Sequence, residues 1–175
     1  VAGAGAGGVS ELASEPSALS AAHLVVVDMQ RVFAEADSPW ATPGFAAIVP
    51  TVGKLVAVFG DAVTFTRFVA PETPTGAWQA YYAQWPFALQ PADAPAWDIV
   101  PPLVPTGPTV DATTFSKWGA ALADRVGAAT MALCGVSTDC CVLSTAVAAA
   151  DAGVAVRVVA DACAGVSAES HRATL

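Results

Sequence analysis

Short apolar runs rich in β-branched residues alternate along this chain with stretches of helical spacing. His23-Leu24-Val25-Val26-Val27-Asp28 is continuous and ends in an acid, the pattern of a parallel strand buried on both faces. Pro43 to Phe59 has helical character and closes at Gly60, and Ala62 to Phe68 predicts a second strand. Pro71-Glu72-Thr73-Pro74 is a loop, and Thr75 to Trp85 predicts a short helix stopped by Pro86. Prolines then recur from Phe87 to Pro108 and predict a long irregular crossing. Thr109–Ala112 predicts a short strand, Lys117–Val126 a helix ending at Gly127, and Thr130–Val136 a strand. A helix over Thr138–Ala152 and a strand over Ala155–Ala160 follow, and Ser167 to Leu175 begins another helix. The order β-α-β-α-β-α-β-α-β-α predicts an α/β domain. It is a three-layer α/β/α, Rossmann-like arrangement around a mainly parallel sheet.

Composition refines this outline. Residues 1–21 are rich in Gly, Ala and Ser and are expected to form a flexible N-terminal arm, leaving residues 22–175 as one domain whose last helix is cut short. Gly3-Ala4-Gly5-Ala6-Gly7-Gly8 spells G-x-G-x-x-G, but no strand precedes it, so it is read as part of the arm and not as a phosphate loop. The formal charge is −8. The seven cations (Arg31, Lys54, Arg67, Lys117, Arg125, Arg157 and Arg172) are too few for a nucleic-acid-binding patch. Mean hydropathy is +0.56, yet no window of about 18 residues is free of charges and breakers, so no membrane span is expected. No basic segment precedes an apolar run, which argues against a signal peptide. Asn is absent, which removes N-glycosylation and any Cys-His-Asn triad. Cys134, Cys140, Cys141 and Cys163 lack zinc spacing and make a poor disulfide framework, so a reducing cytoplasm is expected. So apolar a chain is also expected to bury surface against copies of itself.

In open parallel sheets the site lies at the carboxyl ends of the strands. Asp28 falls there after the first strand, Arg67 and Phe68 after the second, and Ser116-Lys117-Trp118 after the third. Gly135-Val136-Ser137-Thr138-Asp139-Cys140-Cys141 follows the fourth and opens a helix, with Thr138 as its expected N-cap. A helix N-terminus favours a thiolate and presents N–H groups to an oxyanion. Each residue also has a plain role: Asp28 caps a helix or pairs with Arg31, Lys117 sits on the surface, and the cysteines are inert core. Their shared location favours a site. Trp78, Tyr81, Tyr82 and Trp85 recur at helical spacing, with Trp40 and Trp118 elsewhere, and such a stripe is core packing or a flat, apolar pocket.

Val26-Val27-Asp28-Met29-Gln30, Phe115-Ser116-Lys117 and Gly135 through Thr145 together resemble the isochorismatase-like cysteine hydrolases, which include nicotinamidases and carbamoylsarcosine-type amidohydrolases. The resemblance runs from about His23 to the end. It implies the isochorismatase-like fold, an Asp28-Lys117-Cys141 catalytic triad, and Cys141 rather than Cys140 as nucleophile. It also implies a cis peptide between Val136 and Ser137, an oxyanion hole from the Ser137 and Cys141 N–H groups, and a dimer or tetramer. The stretch Arg67 through Pro74, where nicotinamidases carry a metal-binding Asp and two His, holds no histidine, so neither metal nor cofactor is expected.

The leading expectation is a cofactor-free hydrolase of a small C–N substrate acting through a thioester. Phe33, Phe68, Trp78, Tyr82, Trp85 and Trp118 are candidates for its pocket. The alternatives are vinyl-ether hydrolysis, and a non-catalytic binding protein with redox-sensitive cysteines.

Overall fold

The computed structural model describes residues 22–175. The arm over residues 1–21, with its glycine pattern, lies outside the described residues. Five strands form one sheet in the order β3-β2-β1-β4-β5, every pairing parallel. They are β1 (Ala22–Val27), β2 (Val63–Phe68), β3 (Val110–Ala112), β4 (Thr130–Val136) and β5 (Val156–Ala164). The helices are α1 (Arg31–Ala34), α2 (Phe45–Phe59), α3 (Ala77–Gln84), α4 (Ala120–Val126), α5 (Leu143–Asp151) and α6 (Ala168–Thr174).

β1 occupies the centre because Leu24 through Val27 are all wholly buried and need cover on both faces. Leu24 is opposite Val63 on one side, and Val27 is opposite Gly135 on the other. The second pairing requires glycine: Gly135 has φ +112°, and a Cβ there would lie 2.1 Å from the Val27 carbonyl oxygen. α2 buries Phe45, Ile48, Val52, Leu55 and Phe59, spaced three or four apart, against the sheet and stops at Gly60. Each such side chain contributes roughly 1.5–3 kcal/mol.

Three boundaries differ from the sequence reading. The helix expected from Lys117 begins at Ala120, because the Lys117 N–H donates to Thr145 Oγ1 and the Trp118 N–H to Ser116 Oγ. The helix expected from Thr138 divides into a π-helical turn (Thr138–Val142) and α5. Thr138 is not its cap: its hydroxyl bonds His171 Nδ1 at 2.8 Å, and Ser137 holds the cap position without a side-chain bond to the turn's N–H groups. β5 runs on to Ala164 through an irregularity beside Leu133–Gly135. The proline-rich crossing is anchored by Gln30, wholly buried, whose Nε2 donates to the Phe68 and Trp97 carbonyls and whose Oε1 accepts the Phe68 N–H.

Candidate active site

β1, β2 and β4 end side by side, and the candidate residues lie just beyond them. Asp28 leaves β1 with φ +50°, a left-handed conformation that aspartate tolerates better than most residues. The turn points its carboxylate into the interior, where it is wholly buried. Thr66 Oγ1 donates to Oδ1 at 2.8 Å. Oδ2 takes no hydrogen bond but faces Lys117 Nζ at 3.0 Å, and neither side chain has exposed surface. Each charge thus neutralises the other where water cannot reach.

Lys117 reaches this position from the extended segment ahead of α4. Its ammonium also donates to the Thr114 carbonyl at 2.9 Å and sits 4.8 Å from the centre of the Phe68 ring, a cation–π contact. The plain reading, a surface lysine, is excluded. Arg31 pairs with Glu35, not with Asp28.

Cys141 lies buried in the π-helical turn, and Cys140 beside it is half-buried. The Val136–Ser137 peptide that leads into the turn is cis. The Cys140 and Val142 N–H groups both donate to the Ser137 carbonyl, and Ser137 Oγ donates to Asp139 Oδ1. Hydrogen bonding from Cys140 and burial hold the Cys141 thiol well above its ordinary range. Asp28 adds to that effect and Lys117 opposes it, so the thiol is within electrostatic reach of both. The same contact between the two sulfurs draws Cys140 down.

The aromatic stripe of α3 meets rings from distant segments. Trp78 packs on Phe115 at 5.0 Å and Phe68 at 6.5 Å. Trp40 stacks on Phe33 and touches Phe68, Tyr81, Trp85 and Phe87. Phe33, Phe68, Trp78, Tyr82 and Trp85 are thus brought into one cluster. Trp118 packs on the main core instead and makes no ring pair with them among the described residues. Tyr82 is nearly enclosed, and burial pushes its hydroxyl up to about 12. Tyr81, outside the expected pocket residues, joins the cluster through Trp78, Tyr82 and Phe115, and burial raises its hydroxyl, with Cys140 and Cys141 adding to the effect. Sequence reasoning also missed Thr66 and Thr145. The available signals were a hydroxyl within an apolar strand and one four residues after Cys141.

A cavity of ≈ 530 Å³ opens elsewhere, around Arg31, Arg67 and Asp98. It includes none of the three candidate residues, and its arginines are engaged by Glu35 and Asp111. Chemistry rather than cavity size locates the site.

The isochorismatase domain model matches residues 22–175. The chain belongs to the isochorismatase family, and membership makes it a hydrolase. No curated protein matches the sequence. Among solved structures it is similar to a cysteine hydrolase from Pseudomonas syringae pv. phaseolicola 1448A, at 23% identity over 90% of this chain and 84% of that one, with TM-score 0.76. It is similar to a pyrazinamidase of Pyrococcus horikoshii in complex with zinc, at 22% identity over 88% and 92% of the two chains, with TM-score 0.70. It is also similar to an N-carbamoylsarcosine amidase from Thermoplasma acidophilum, at 20% identity over 86% and 88%, with TM-score 0.69. At these identities the likeness is one of fold. Among the described residues no three His, Cys, Asp or Glu converge, and the two histidines bond Thr64 and Thr138.

Proposed function

We propose that this chain hydrolyses a C–N bond of a small, flat, uncharged amide through a Cys141 thioester, without metal or cofactor. The observation that carries this reading is the Asp28–Lys117 pair, 3.0 Å apart and wholly buried, within electrostatic reach of a protonated Cys141 thiol. A structural ion pair gains little from such burial, whereas a base held dry beside a thiol has a use. The pyrazinamidase and N-carbamoylsarcosine amidase names support amide chemistry.

Asp28 Oδ2 takes the Cys141 proton as the sulfur bonds to the substrate carbonyl carbon, and the Ser137 and Cys141 N–H groups receive the oxyanion. The C–N bond then breaks, the nitrogen leaves with the proton from Asp28, and a thioester remains. Water attacks that carbonyl and gives a proton to Asp28. The C–S bond breaks, the acid departs, and the proton returns to sulfur. Lys117 stays charged throughout and stabilises carboxylate and thiolate in turn. Phe33, Phe68, Trp78 and Trp85 line the space for the substrate, with Tyr82 behind them, and the enzyme works in the cytoplasm as a dimer or tetramer.

A panel of small aliphatic and aromatic amides, assayed with Cys141→Ala as control, tests the proposal. Turnover by the parent alone, with an acid-quenched adduct on the Cys141 peptide, is the expected result. Turnover retained by Cys141→Ala would end this reading.

A further inference from the structure

The segment that carries Lys117 is held by one bond of unusual reach. Ahead of α4 the backbone is extended, with Gly119 at φ −179°, so the buried Lys117 N–H has no helical acceptor. It donates instead to Thr145 Oγ1 at 2.9 Å. Thr145 lies on α5, wholly buried, and its hydroxyl donates in turn to the Cys141 carbonyl at 2.7 Å. A hydroxyl offers one donor and two acceptor positions. This one therefore joins the backbone of the ammonium-bearing segment to the backbone of the thiol-bearing turn.

The neighbouring Ser144 shows what a merely local bond looks like. Its Oγ donates to the Cys140 carbonyl at 2.6 Å, the same back-bond four residues up the chain. Among the described residues it makes no bond to the Lys117 segment. Local satisfaction of the π-helical turn thus needs only the first half of what Thr145 does. The second half has no local function, since it reaches back 28 residues to Lys117.

We infer that Thr145 is a positioning residue, which sets the Lys117 ammonium against the Cys141 sulfur by bonding both backbones through one hydroxyl. The inference rests on the Asp28-Lys117-Cys141 reading above. With the hydroxyl gone, the turn and the lysine segment separate, and Lys117 assists ionisation of the thiol less. The two hydrogen bonds also polarise one another, so neither is replaced by a water bound to one partner alone.

The test follows the rate at which iodoacetamide alkylates Cys141 as a function of pH, read by peptide mass spectrometry, and needs no substrate. Thr145→Val is expected to slow alkylation near neutral pH about tenfold and to move the limb upward by about one pH unit, as for a thiolate that has lost one unit of support. Thr145→Ala is read in the same way, since either change removes the hydroxyl. Thr145→Ser is expected to recover the parent profile within about threefold, a margin close to the lower value of one hydrogen bond. Ser144→Ala is expected to match the parent. A parent-like profile in folded Thr145→Val or Thr145→Ala, or no recovery in Thr145→Ser, would overturn the inference. Lys117→Ala run alongside separates the two readings. If it leaves Cys141 alkylation unchanged, the triad reading fails and this inference with it. If it slows alkylation while Thr145→Val does not, only the coupling through Thr145 fails.

Discussion

Thr66 fixes one oxygen of Asp28 and leaves the other to the chemistry. Its Oγ1 donates to Oδ1 at 2.8 Å, while Oδ2 takes no hydrogen bond and faces the Lys117 ammonium at 3.0 Å. Because Oδ1 is held, the carboxylate cannot rotate to exchange its oxygens without breaking a buried bond. Thr66→Val keeps the shape of β2 and removes that restraint. A hydrogen bond to a charged group contributes about 1.5–3 kcal/mol, so kcat is expected to fall at least about tenfold with the fold intact by circular dichroism. Parent-like kcat in this variant would remove Thr66 from the account.

Substitutions at the three candidate residues have distinct expected outcomes. Cys141→Ala loses turnover, whereas Cys140→Ala keeps most of it. Asp28→Asn preserves shape but loses the base, at a cost of about 10²–10⁴-fold. Lys117→Ala leaves a buried carboxylate unpaired, so about 3–5 kcal/mol of stability goes with the activity. Lys117→Arg rescues poorly, because a planar guanidinium does not fit where a compact ammonium contacts Asp28, Thr114 and Phe68. Steady-state assays and urea titrations separate these outcomes, and a Cys140→Ala variant that was dead while Cys141→Ala survived would reverse the assignment.

The alkaline limb of the kcat/KM pH profile is expected to follow the Cys141 thiol. The working form holds a charged base and a protonated thiol. The Cys141 thiol is held above the ordinary value of 9.0, so the protonated form persists to higher pH and the alkaline limb is displaced upward. An alkaline limb well below that value would contradict a neutral resting thiol.

Exhaustive chelation is expected to leave activity intact, since His23 and His171 are engaged by Thr64 and Thr138 at 2.8 Å each. Elemental analysis of the purified protein provides the check. Stoichiometric metal lost together with activity would refute it.

Light scattering is expected to return a multiple of the 17.5 kDa chain mass. Val58, Val147 and Val166 are each more than half exposed, and Leu143 shares the outer face of α5 with Val147. A monomer at micromolar concentration would count against assembly.

Much of this architecture was legible in the residues themselves. β4 reads to its exact ends because Gly127 and the Ser137–Thr138 turn punctuate an apolar run. β1 and β2 read to within a residue. Two of the misreadings share one cause, side chains that bond to partners far along the chain. Lys117 looks helical until Thr145 captures its N–H, and Thr138 looks like a cap until α6 brings His171 to it. β5 looks finished at Ala160 because Asp161 reads as an end, yet the strand continues beside Gly135. At the site, the strand-end rule found Asp28, Lys117 and the cysteine turn. Local pattern gave no reason to join Trp40 or Phe115 to the α3 stripe, since those rings meet only once the crossing has folded over.

The pairing of Val27 with Gly135 gives the molecule an order in time as well as in space. β1 finds β2 soon after synthesis, but its other neighbour is made only after the whole crossing and α4 have emerged. Parallel pairings over such spans close slowly, because the intervening loop loses its freedom before any contact repays it. Until the β1–β4 ladder zips, Asp28 and Lys117 exist in the nascent chain without Cys141 beside the sheet. The candidate centre therefore cannot assemble before Cys141 has been made, and a product cut short before Thr130 would hold no cysteine at all.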